Sequence, residues 1–229
     1  MLKQIIVISD GQSNTGPNPA NMAELALEKS VIVNTIGIID SRENQSPIFE
    51  LEEIAERGGG VCELTSIDNL SETLSRLTVK SVYNTVEEIV SQELKEILDV
   101  NMEDIAPIER QKFVKLIDRI GNEIDLKCLI LLDISGSMKK KIDIARKSIF
   151  ELLLFLEERT GENNIGVMVF PYKDKYYKLL CDFTTDIDIL RKKVEILETG
   201  GTTPTGFAIE GAMKIFEENQ EYVTYNNIV

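Results

Sequence analysis

The sequence predicts an α/β fold: a three-layer, doubly wound, Rossmann-like sheet, mostly parallel with one antiparallel edge strand. Three observations carry that expectation. Cys128 to Leu132 and Ile5 to Ile8 are unbroken apolar runs, which read as strands buried on both faces, and each stops at a carboxylate, Asp133 and Asp10. Strand-like runs alternate with segments whose apolar residues recur at helical spacing, the pattern of a parallel sheet wrapped by helices. The charged turn PYKDK joins two further strand-like runs, Ile165 to Phe170 and Tyr177 to Phe183, and suits a hairpin.

The elements follow in order. After Asp10 comes the turn-rich QSNTGPNP, and Asn18-Pro19 opens a helix with proline at its first position, running to about Ser30 with Met22, Leu25 and Ala26 inward. Val31 to Ile38 is a strand, Asp40 to Gln45 a polar loop, and Ser46-Pro47 opens a helix carrying Phe49, Ile54 and Ala55. Gly58 to Gly60 end it before a short strand, Val61 to Leu64. From Asn69 a long helix carries Leu70, Leu74 and Leu77, then Val82, Val86, Ile89, Leu94 and Ile97, and Pro107 to Ile120 is another. Lys139 to Arg159 is a helix with a broad stripe from Ile142 to Leu156, and Asp186 starts one that reaches about Leu197. Thr203-Pro204 opens the last, holding Phe207, Ile209, Met213 and Ile215, while QEYVTYNNIV reads as an exit segment or incipient strand. Three strands fall in each half of the chain, and neither trio covers a two-sided sheet alone. One six-stranded sheet built from residues 1–90 and 126–229, with 91–125 as a helical connector, avoids long unpaired edges and makes a single domain.

Composition narrows the function. The 229 residues are 43% hydrophobic, enough for a real core, and the net charge of −14 opposes phosphate backbones and anionic membranes, so no nucleic-acid partner is expected. There is no histidine, which removes Ser-His and Cys-His catalysis and imidazole metal ligands. Cys62, Cys128 and Cys181 are odd in number and lie in or beside apolar runs, as reduced core thiols do in a cytoplasmic protein. No apolar stretch is long enough for a signal peptide or membrane insertion.

The chemistry concentrates where strands end. Asp133, Ser135 and Ser137, spaced by two around Gly136, sit where open α/β sheets bind ligands. A carboxylate and two hydroxyls are hard oxygen donors, suited to Mg²⁺ or Mn²⁺ and not to zinc. Singly, each residue has a plain structural role. Ser137 would cap the helix that follows, Thr203 would cap the one at Pro204, and Asp10-Gly11 would be a turn. Lys139 to Lys141 reads as a solvated face.

Taken together, DISGS at 133–137, GGTTPTG at 200–206 and ISDGQSN at 8–14 resemble the three loops of the von Willebrand factor A family and its metal-ion-dependent adhesion site. The family order places the Asp-Gly strand after the threonine loop, whereas here it opens the chain, so the sequence looks like a circularly permuted member. The order is similar to that of a group of proteins from spore-forming Firmicutes, which implies a link to sporulation. The resemblance implies that Ser135 and Ser137 bind a divalent cation, Mg²⁺ or Mn²⁺, through their hydroxyls. It also implies that Asp133 and Asp10 act through bound waters and that Thr203, in preference to Thr202, completes the set. It further implies a non-enzymatic module that captures an Asp or Glu carboxylate of a partner protein. The competing readings are an Mg²⁺-dependent phosphoryl-transfer enzyme, against which stands the lack of a Gly-Lys-Ser/Thr loop and of a base, and a fragment of a tandem protein. A monomer is favoured, with exchange between two chains as the alternative.

Overall fold

A computed structural model describes residues 1–39, 46–173, 175–194 and 197–226. Six strands form one sheet: β1 (Leu2–Ser9), β2 (Ile32–Ile38), β3 (Gly59–Thr65), β4 (Leu126–Asp133), β5 (Asn163–Phe170) and β6 (Lys178–Thr184), in the order β3-β2-β1-β4-β5-β6. All pairs are parallel except β5 with β6, so the fold matches the mostly parallel α/β sheet with one antiparallel edge strand read from the sequence. The two halves meet at the centre, where β1 and β4 run in register with Ile6 opposite Ile130 and Ile8 opposite Leu132.

The apolar runs are buried on both faces, as the continuous hydrophobicity of β1 and β4 requires. Ile6, Ile8, Ile130, Leu132, Val167 and Val169 face one core, packed by helices α3 (Leu70–Leu98) and α5 (Ile142–Leu156). Ile5, Val7, Leu129, Leu131, Met168 and Phe170 face the other, under α1 (Pro19–Glu28), α2 (Ser46–Arg57) and the last helix, α7 (Thr205–Asn226). Each such side chain, taken fully out of water, contributes about 1.5–3 kcal/mol. Helix α4 (Pro107–Glu123) packs on α3, and the short α6 (Ile187–Lys193) follows β6. Asn18 caps α1 through its side chain, as Asn18-Pro19 predicts.

Several side chains and boundaries differ from the sequence reading. Leu25 is 41% exposed and α1 turns Ala20, Ala23 and Ala26 inward, because it lies close between α2 and α7, where only small residues fit. Phe49 is 65% exposed while Leu51 and Ile54 bury. Ile89 and Ile97 are exposed because the second half of α3 packs against α4 with only Ile117 and Gly121 of that helix buried. Gly121 is needed there: a Cβ would lie 2.7 Å from the Tyr83 ring. The segment after Ser137 is not yet α-helix; Gly136–Lys140 is a 3₁₀ turn and α5 begins at Ile142. Residues 220–226 continue α7, with no Gly or Pro after Gly211 to stop it, and 227–229 lie outside the described residues. The predicted loop 40–45 also lies outside them.

Candidate metal centre

Parallel pairing brings the carboxyl ends of β1 and β4 side by side, and with them the two aspartates. Asp133 is fully buried. Its Oδ1 accepts the Ser135 backbone N–H at 2.7 Å and its Oδ2 accepts the Ser9 hydroxyl at 2.6 Å. Burial pushes its carboxyl up to about 6, offset in part by the hydrogen bonds from Ser9 and Ser135, with the Asp10 charge pushing the same way as burial. Asp10 Oδ1 accepts the Ser137 hydroxyl at 2.6 Å, and its Oδ2 is 2.7 Å from the Lys141 ammonium. The Asp10 side chain is wholly shielded from water and that of Lys141 nearly so, which makes this a buried ion pair.

The two serine hydroxyls stand 3.1 Å apart. Neither caps a helix: the 3₁₀ turn takes no side-chain cap from Ser135, and α5 begins well past Ser137. The capping role expected of Ser137 therefore fails, and the two serines turn toward each other and toward Asp10 instead. Thr203 is buried, while Thr202 is exposed. The loop after β1 grips Thr203 three ways: Asn14 Oδ1 accepts its N–H at 2.9 Å, Asn14 N–H donates to its carbonyl at 3.1 Å, and the Ser13 hydroxyl donates to the same carbonyl at 3.1 Å. The Thr203 hydroxyl has no hydrogen-bond partner among the described residues. Gly201, at φ +90°, makes the turn before it, and Gly206 lets α7 start against the Pro17 carbonyl, which a Cβ would meet at 2.1 Å.

Asp10, Asp133, Ser135 and Ser137 thus share one continuous network, to which Thr203 is tied through the β1 loop. Both carboxylates have every oxygen engaged by a fixed donor. Each carboxylate oxygen keeps a second lone pair and the hydroxyls keep theirs, so both kinds of oxygen can face a cation, with the carboxylates supplying the charge. Two buried carboxylates against one ammonium leave a negative charge when both are ionised, so this donor set fits a hard divalent cation. Among the described residues no cluster of three or more His, Cys, Asp or Glu could hold a metal, so hydroxyl oxygens are essential to any such site.

Sequence reasoning missed two residues. Ser9 directly precedes Asp10 at the end of an apolar run, and the register that puts it opposite the end of β4 is what aims its hydroxyl at Asp133. Lys141 is expected on a solvated face with Lys139 and Lys140, but only those two are exposed; Lys141 lies between buried Met138 and Ile142, and that apolar bracketing is the signal for its burial.

The sheet order and the loops at the strand ends define a von Willebrand factor A type of α/β domain, and the chain belongs to that family: residues 128–229 match the von Willebrand factor type A domain. Domains of this type commonly serve as protein-interaction modules. Over 220 residues, 95% of this chain and 90% of the relative, it is 36% identical to the uncharacterized protein YabS of Bacillus subtilis (strain 168). It is similar over 97% of its length to the crystal structure of an uncharacterized protein from Alicyclobacillus acidocaldarius, with 30% identity, a TM-score of 0.88 and 96% of that chain covered. Proximal thread matrix protein 1 of the mussel byssus, with a zinc-occupied MIDAS motif, aligns at 14% identity over 87% of this chain and 43% of that one, with a TM-score of 0.29. Among the described residues no helix is long and apolar enough to cross a membrane.

Proposed function

We propose that this chain is a non-enzymatic protein-binding module of the cytoplasm that works through a divalent cation, Mg²⁺ or Mn²⁺. Ser135, Ser137 and Thr203 would hold the ion and Asp133 and Asp10 would support it. The observation that carries this reading is the network in which Ser137 bridges Ser135 and buried Asp10 while Asp133 fixes the Ser135 backbone. A cation bound there supplies a Lewis-acidic position for an Asp or Glu carboxylate of a partner protein. The chain's own residues do the rest. Ser9 and the Ser135 N–H hold Asp133 in one orientation, and Asn14 and Ser13 hold the Thr203 loop. Lys141 neutralises Asp10 and competes with any second cation for it.

The chain order is part of the proposal. Residues 1–90 are read as the second half of the domain, 91–125 as the connector and 126–229 as the first half, in one permuted, monomeric unit. The central position of β1 beside β4 supports this, as does the restriction of the family match to 128–229.

Calorimetric titration of Mg²⁺ into EDTA-stripped protein tests the site. Ser135→Ala/Ser137→Ala is expected to weaken binding at least about tenfold, a loss of about 1.4 kcal/mol or more, and Lys141→Met to tighten it by removing the tethered competitor. Equal affinity in wild type and the double serine variant would overturn the proposal. A pull-down run with Mg²⁺ and with EDTA should then retain the partner only with the metal.

A further inference from the structure

Next to the metal centre, under the β5–β6 hairpin, lies a cleft of about 830 Å³. Lys173, Lys175, Lys178 and Lys193 line it, against one acidic residue among those described, Glu198. All four lysines are exposed. In a chain of net charge −14 the described lining of the cleft is a local reversal of sign. Lys29, Lys80 and Lys214 each have a glutamate within ion-pair distance, at 2.6, 3.2 and 2.7 Å. Among the described residues none of the four cleft lysines has such a carboxylate. Ammonium groups gathered on a concave wall, without a carboxylate partner among the described residues, focus a positive field outward.

Tyr172 registers that field. Lys178 Nζ donates to its hydroxyl at 3.1 Å, and the Lys178 and Lys173 ammonium groups lie 4.5 and 5.6 Å from its ring centre. The hydrogen bond from Lys178, joined by the charge of both lysines, holds the phenol below its ordinary range. An anionic oxygen is what this wall stabilises.

The cleft shares a wall with the candidate metal centre. Ile134, which lines it, stands between Asp133 and Ser135, and Thr202 and Pro204, which also line it, flank Thr203. The Gly200 N–H donates to the Ile134 carbonyl at 2.8 Å and closes the seam between the two loops.

We infer that this cleft docks an acidic peptide segment of a partner protein, its carboxylates against Lys173, Lys175, Lys178 and Lys193 and its path running along the Ile134 wall toward the metal centre. Electrostatics favour a peptide over a nucleic acid. A phosphate backbone continues past the cleft onto a strongly acidic surface, where each further phosphate is repelled, whereas a peptide can carry its charge only where the lysines are. Leu180 and Tyr176 on the same wall give apolar contact between the charges. That the occupant is a protein rests on the proposed function; the preference for carboxylates does not require the metal.

The test uses the full chain and a fluorescein-labelled oligoglutamate peptide in fluorescence anisotropy, with Mg²⁺ and with EDTA. Binding is expected to persist in EDTA and to weaken about tenfold between low and physiological salt. It should fall at least about tenfold in Lys175→Glu/Lys178→Glu/Lys193→Glu and stay unchanged in Lys112→Glu/Lys115→Glu on α4. The triple variant should keep its Mg²⁺ affinity, which shows an intact fold. Undiminished peptide binding in the triple variant, no binding at low salt, or tighter binding of a single-stranded oligonucleotide would each overturn the inference. Peptide binding without Mg²⁺ uptake would leave the cleft standing and remove the metal reading; Mg²⁺ uptake without peptide binding would do the reverse.

Discussion

Asp133 ends a central strand with its side chain sealed from water, and what surrounds it decides how it behaves. Two hydrogen bonds favour its charge, but burial and the Asp10 carboxylate oppose it, and the balance lies at about 6 against an ordinary 3.8. A raised carboxyl means that between pH 4 and 6 the folded protein holds a proton that the unfolded chain has released. The group's contribution to stability is therefore full below about pH 4 and lost as pH rises through 6. In EDTA, Asp133→Asn should come close to wild type near pH 4 and exceed it near pH 7, by on the order of 2 kcal/mol, in thermal melts. Saturating Mg²⁺ should cancel that advantage, since a cation compensates the buried charge in wild type alone. A stability difference that stays flat from pH 4 to 7 would show that burial does not raise the Asp133 carboxyl.

At the scale of elements, the entry to β4 depends on Arg159, just past the end of α5. Its Nη2 donates to the Gly121 and Ile124 carbonyls at 2.8 Å each, and its Nη1 donates to Asn163 Oδ1. Those carbonyls belong to the last turn of α4 and the residue that follows it, which no helical N–H reaches. Gly161 approaches so near that a Cβ would lie 2.4 Å from the Ile124 carbonyl, so the guanidinium and the glycine together close the junction. Arg159→Ala should cost about 2–3 kcal/mol in urea unfolding with an unchanged slope, as charge-assisted hydrogen bonds to partly buried carbonyls are worth. Arg159→Lys, a single-pointed donor, should recover only part of it. A loss of under about 0.5 kcal/mol would mean that packing of α4 on α3 holds the junction by itself.

For the whole molecule, the consequence of the topology is that neither half completes a sheet. β1 contributes its two edges to β2 and β4, and with them it joins both hydrophobic layers. Unfolding should therefore be one transition: thiol labelling of half-buried Cys62 on β3, mapped by mass spectrometry, and near-ultraviolet circular dichroism of the tyrosines beside β6 should give coincident midpoints. Separate midpoints would mean two independently stable units. Legible in the chain alone were the six apolar runs, the alternation of strands and helices, the hairpin at PYKDK, and the polar residues that end β1 and β4, because each is a matter of local period and spacing. The face that α1 buries, the reach of α3 past its covering, the pairing of Lys141 with Asp10, the Ser9 hydroxyl on Asp133 and the lysine-lined cleft were left to folding. Each depends on how close two elements far apart in the chain approach one another, and hydrophobic periodicity carries no record of that distance.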